Sequence, residues 1–191
     1  VLFARIFLGC LLGIVLGTSL SAKSILRENE ILVSDLKNMK RELAGAPKWV
    51  FMDPKSPYEE LGVAYIPIKN RFLGIDQATL NAKMSMILVF HEVFVNYKKL
   101  FMEQFHESEG TVLSIADAYY NYLITKVRVS DTYVNMKAEV AVVKIKIDGC
   151  KIDEIERYLK ASIKNINDNE LDYIGKVTQK ELGDVCTAKP R

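Results

Sequence analysis

Two histidines, a scatter of carboxylates and three cysteines are the side chains here whose types could do chemistry. His91 and His106 stand 15 positions apart, or about 22 Å along one helix, too far to share a metal ion. His91-Glu92 lacks the second histidine of a zinc-protease helix. Each histidine is expected at a polar or half-buried helix position. The carboxylates fall at Glu59-Glu60, Glu107/Glu109 and Asp153/Glu154/Glu156. Glu154 and Glu156 point apart on a helix, so these groups read as solvated faces and not as an acid/base pair. No dinucleotide fingerprint, phosphate-binding loop or hydrolase nucleophile elbow occurs. The expectation is a non-enzymatic protein with no catalytic residue, no cofactor and no metal site.

Cysteine usage says more. Cys10 lies in an apolar leader, leaving Cys150 and Cys186 as an even pair. In an oxidising compartment such a pair suggests an internal disulfide; a bridge between chains and two free thiols are the alternatives. Among the remaining polar and aromatic groups, Lys144 and Lys146 alternate with buried-type residues, as on a wet sheet face. Tyr119, Tyr120 and Tyr122 form an aromatic cluster that suits either ordinary packing or the centre of an interface.

The leader comes first among the elements that must position these groups. Arg5 precedes an apolar run, Ile6 to Leu16, and small residues come next at Gly17, Thr18, Ser19, Ser21 and Ala22. This is the order of a secretory signal peptide, with cleavage expected after Ser21 or Ala22. A spanning helix needs about 20 apolar residues, longer than this run. Cys10 sits inside the run and not at its end, which argues against acylation. The organisation expected is a signal peptide over 1–22, a helix over 23–44 and one α+β domain over 45–191. The whole chain has 191 residues, 49% hydrophobic and 26% charged, which suits one globular domain. Its net charge of +2 provides no global field for nucleic acid or anionic lipid.

Along the chain, Ile25, Ile31, Leu32, Leu36, Met39 and Leu43 recur at helical spacing, and Gly45-Ala46-Pro47 ends that helix. Leu61 to Ile68 reads as a strand, with Pro67 placing it at a sheet edge or ending it. Asp76 is the expected N-cap of a long helix reaching about Phe105. Its apolar residues make two adjacent stripes, Leu80, Met84, Ile87, Phe94, Phe101, Phe105 and Met86, Phe90, Val93, Tyr97, Leu100. Together they form an arc too wide for a helix resting on one flat sheet. A second element or another subunit must cover it, so Phe90, Phe94, Tyr97 and Phe101, with Tyr119 and Tyr120, are expected interface residues. Glu109-Gly110 should break this helix before another over 111–125. Residues 126–147 alternate as an antiparallel hairpin around Asn135. Two further helices are expected over 152–163 and 170–182. The expected fold is α+β, a small antiparallel sheet of about three strands, with a long helix and shorter helices packed on one side.

Two stretches resemble a known family. Gly45-Ala46-Pro47-Lys48-Trp49-Val50 is similar to the Gly-Ala-Pro-x-Trp-Val element of the epsilonproteobacterial twenty-kilodalton (LPP20-type) envelope lipoproteins. Gln77-Ala78-Thr79, with Ala82, is similar to the start of that family's main helix. The resemblance covers about residues 44–163. It implies a small α+β domain among envelope proteins, which include surface antigens and flagellar basal-disk proteins, and it implies no catalysis. This chain lacks the family's acylated cysteine at the end of the leader, and its long helix is richer in Met and Phe. The expectation is a protein of the periplasm or cell envelope that acts by protein–protein association and homo-oligomerises, with peripheral membrane or outer-membrane association and no nucleic acid. The alternative is a small-ligand carrier, with a cavity lined by Tyr65, Met84, Met86, Phe90 and Phe94.

Overall fold

A computed structural model describes residues 19–54, 56, 58–66 and 70–187, with side chains left out at 19–26 and at 92, 93 and 95–97. The expected leader up to residue 18, with Cys10, lies outside the described residues. So do Pro67 and Ile68, at the end of the first expected strand, and the side chain of Tyr97. The elements run α1 (Ser19–Asn38), a 3-10 turn (Met39–Arg41), a second 3-10 turn (Lys48–Phe51), β1 (Glu59–Tyr65), α2 (Arg71–Phe105) and α3 (Glu109–Thr125). Then come β2 (Val127–Asn135), β3 (Val140–Ile147), β4 (Cys150–Lys151), α4 (Ile152–Ser162), α5 (Asp168–Leu182) and β5 (Cys186–Thr187). β1, β3 and β2 lie side by side in that order in an antiparallel sheet, and β4 pairs with β5 in parallel. The fold is α+β, as the periodicity predicts.

Helix boundaries differ from expectation where side-chain caps decide them. α2 starts five residues before Asp76, because Asn70 Oδ1 accepts the N–H groups of Phe72 (3.1 Å) and Leu73 (3.4 Å). The break after α2 falls at 106–108 and not at Glu109-Gly110. His106 turns to φ 56°, and Ser108 caps α3 by accepting the Thr111 N–H at 3.2 Å. His106 therefore lies just past α2 and not on it. α5 opens on a capping box in which Asn167 Oδ1 accepts from Glu170 N–H and Glu170 Oε2 accepts from Asn167 N–H.

The chain divides into two compact units. Of the described residues, one draws on 19–54, 61–66, 70–85 and 131–144, the other on 56, 58–60, 86–130 and 145–187, with the sheet and α2 contributing to both. In the first unit both sheet faces are covered, a correction to helices on one side only. Val63, Val140 and Val142 pack with Leu36, Leu43 and Val50 from α1 and the 3-10 turns. The alternate side chains face α2: Gly62 abuts Ala78 and Ala82, and Gly74 abuts Ile66 and Ala141. A Cβ on Gly62 would lie 1.8 Å from the Ala78 carbonyl oxygen, so only glycine permits this approach. The second unit holds the end of α2 with α3, α4 and α5. Phe101 and Phe105 of α2 meet Tyr173 of α5 at ring distances of 5.6 Å.

Candidate functional site

The most developed polar site of the first unit is a lock on the outer edge of β1. Tyr58 and Ile66 pair toward β3, so the intervening odd-numbered residues point their backbone groups outward. Two asparagines meet them. Asn29 of α1 donates to the Leu61 carbonyl (3.0 Å) and to Ser85 Oγ (3.0 Å), and its Oδ1 accepts the Val63 N–H (3.1 Å). Asn81 of α2 donates to the Val63 carbonyl (2.8 Å) and accepts from Gln77 Nε2 (2.9 Å). Ser85 Oγ in turn donates to the Asn81 carbonyl at 3.2 Å. Asn29 is 3% exposed. The amides take the place of a fourth strand, satisfying an edge that would otherwise be buried unpaired. Nothing in this arrangement activates a nucleophile; it is architecture.

A charged cluster lies in the second unit. Glu154 at the start of α4 accepts from Lys126 Nζ (2.7 Å) and Tyr122 Oη (3.0 Å), with Lys151 Nζ at 3.4 Å. Lys126 also sits over the Tyr122 ring, 5.0 Å from its centroid. The hydrogen bond from Lys126 holds the Glu154 carboxyl down at about 2. The hydrogen bond to Glu154 raises Lys126, and burial raises Tyr122. Glu154, Lys126 and Tyr122 are each held in their resting form, the reverse of what a general base or nucleophile needs. The stabilisation from ionised Glu154 is complete above about pH 4.5 and lost as pH falls toward 2. Glu154→Gln should flatten the acid limb of the melting temperature between pH 5 and 2; an unchanged limb overturns this assignment.

Glu60 on β1 behaves oppositely. Burial pushes its carboxyl up to about 7. Its neutral form is favoured in the folded chain, so stability falls as pH rises from about 4.5 to about 7. Glu60→Gln should remove that slope and stabilise the protein at pH 8 by on the order of 2 kcal/mol. Urea midpoints at pH 5 and pH 8 test this, and a difference between them that survives the substitution refutes it.

Beneath α5 lies a cleft of about 20 Å³. Phe94, Phe101, Ile115 and Tyr119 form one wall, and Tyr173, Ile174, Val177 and Thr178 the other. The Thr178 hydroxyl lies 2.8 Å from the Ile174 carbonyl, to which it donates, leaving its oxygen to accept from Tyr119 Oη at 3.1 Å. Burial pushes Tyr119 up to about 12. The cleft has room for about one water molecule, far below the 300–1,000 Å³ of ligand sites.

The expected site residues separate accordingly. Phe90, Phe101 and Tyr119 are buried within the chain, so they are core side chains and the interface expectation is corrected at those positions. Phe94 and Tyr120 are half-buried against one another, ring centroids 5.9 Å apart. Of the expected lining of a ligand cavity, Met84, Met86 and Phe90 are buried and Tyr65 is exposed. His91 is exposed beside Tyr120 and His106 is exposed past α2. Of the family-like motif, Gly45, Ala46 and Pro47 lead into the turn that buries Val50 and packs Trp49 on the first unit's core. Gln77 supports Asn81, Thr79 Oγ1 donates to the Ile75 carbonyl, and Ala78 and Ala82 face Gly62. Asn29, Asn81 and Ser85 are not singled out by sequence reasoning. The available signal is an asparagine on the apolar stripe of α1 with Leu32 and Leu36, and another beside Ala78 and Ala82.

Cys150 and Cys186 form a disulfide within the chain, at facing positions of the β4–β5 pair and with Cα atoms 4.4 Å apart. Replacing both by alanine should cost about 3–4 kcal/mol of stability through the loop it closes, read from urea unfolding. Among the described residues, no cluster of His, Cys, Asp and Glu is placed to hold a metal ion, and no helix is long and apolar enough to cross a membrane. No protein-family model and no curated protein sequence matches the chain.

Proposed function

We propose that this is an exported, non-enzymatic protein of the periplasm or cell envelope that acts by protein–protein association. The observation that carries the reading is the Cys150–Cys186 bridge, which joins the two cysteines outside the leader. Such bonds form and persist in oxidising compartments, where the leader pattern would deliver the chain. The inert titration of the Glu154 cluster and the one-water cleft both favour a scaffold over a catalyst. The resemblance to LPP20-type envelope lipoproteins supports the same reading and suggests a surface-antigen or flagellar-accessory role.

Association must use residues other than the buried aromatics. Phe72 is 63% exposed and Leu73 48% in the first unit, and Leu100 is 53% exposed in the second. Expression of the full chain in a Gram-negative host, then fractionation and mass measurement, tests export. A periplasmic or envelope product shortened by about 21–22 residues is expected, and a full-length cytosolic product overturns it. Light scattering coupled to size exclusion tests association. A defined oligomer dissociated by Phe72→Glu or Leu100→Glu is expected, whereas a monomer at all concentrations leaves homo-oligomerisation without support.

A further inference from the structure

We infer that α5 is a lid latched by the Cys150–Cys186 disulfide, and that reducing this bond opens α5 locally while the rest of the fold holds. The buried stripe of α5 is Glu170, Leu171, Ile174, Gly175, Thr178 and Leu182. Half of those positions carry a carboxylate, a hydroxyl or no side chain, so the stripe is apolar only at Leu171, Ile174 and Leu182, with Tyr173 beside it on Phe101 and Phe105. Its fit is incomplete as well. Glu170 Oε1 is buried without a hydrogen-bond partner, and the aromatic cleft remains open beneath Ile174, Val177 and Thr178. The segment after α5 is anchored over a short stretch: the two residues of β5 pair with β4, and the bridge fastens them there. The covalent latch therefore adds to the packing of Leu171, Tyr173, Ile174 and Leu182 in holding this helix. Contiguous elements open locally when their own free energy of opening lies below the global one.

Opening uncovers Phe94, Phe101 and Phe105, the aromatic wall that Tyr173 and Ile174 now cover. The two sulfurs are buried, Cys150 being 1% and Cys186 0% exposed, so β5 must lift before a reductant reaches them. A dithiol then supplies two electrons and two protons, leaves Cys150 and Cys186 as thiols and itself becomes a disulfide. The device is set by the fold and does not depend on where the chain resides.

Hydrogen exchange on the full chain, oxidised and then reduced with dithiothreitol and alkylated, tests the inference. The amides of Asp168–Leu182 should lose about a hundredfold or more of their protection, the loss expected when the loop constraint is removed. Those of Val140–Ile147 should lose a similar factor, which global destabilisation sets, yet stay at least about a hundredfold better protected than α5, because global unfolding is still uphill. Equal protection of the two segments in the reduced chain, or no loss in α5, overturns the lid. Should the reduced chain aggregate, Tyr173→Ala in the oxidised protein loosens α5 without touching the bridge. Faster exchange confined to α5 supports the lid, and a loss shared evenly with β3 refutes it.

Discussion

Asn29→Ala is expected to cost about 3–4 kcal/mol, a large fraction of the stability of a domain this size. The substitution removes few atoms, but it strands the Val63 N–H and the Leu61 carbonyl on a strand edge buried under α1. A buried backbone group without a partner costs about 1–3 kcal/mol, and two are created at once. Asn29→Asp discriminates between lost shape and lost hydrogen bonds. It keeps the size and an acceptor for Val63, but cannot donate to Leu61 and buries a charge. It should therefore be no better than alanine. Asn81→Ala, which frees only the Val63 carbonyl, should cost less. Urea unfolding of the three variants provides the check, and a loss below about 1 kcal/mol for Asn29→Ala would show that water reaches this edge.

Gly62→Ala should be at least as damaging, at about 4 kcal/mol or more. The added Cβ would meet the Ala78 carbonyl oxygen at 1.8 Å, the Ala82 nitrogen at 2.6 Å and the Ala82 Cβ at 2.8 Å. The first two are backbone atoms of a helix, which cannot rotate away as a side chain would. α2 would have to withdraw from β1, pulling Asn81 and Ser85 out of reach of their partners. Ala82→Gly should fail to rescue the variant, since it relieves only the third contact. Rescue, or a melting temperature near that of the parent, would mean that α2 slides easily and that the close approach is not required.

These two sites show which part of the design the sequence makes legible. Periodicity is a local property, so the strands around 127–147 and the helices ending near Phe105 and Thr125 can be read directly, whereas the helix expected to run to residue 44 ends at Asn38 and gives way to a 3-10 turn. Helix starts are harder to read. Asp76 has the chemistry of a cap, yet Asn70 further upstream takes that role, because Gly74 allows the first turn to sit against Ile66 and Ala141. The wide arc of α2 correctly demands cover, but its owner is not written in the arc. α3 and α5 of the same chain pack against Phe94 and Phe101, where a second subunit would have satisfied the pattern equally well.

By itself, then, the sequence determines the α+β class, the balance of charge that denies a global field, and Cys150 and Cys186 as the candidate cysteine pair. Each of these arises from composition or from contacts within a few residues. Only the tertiary structure decides that the pair closes within one chain, that the sheet is covered on both faces in the first unit, and that two asparagines stand in for a missing strand. Those outcomes depend on which groups from distant segments arrive at the same place. Asn29 lies 34 residues from Val63, and its carboxamide acquires a role only when the edge of β1 is set before it.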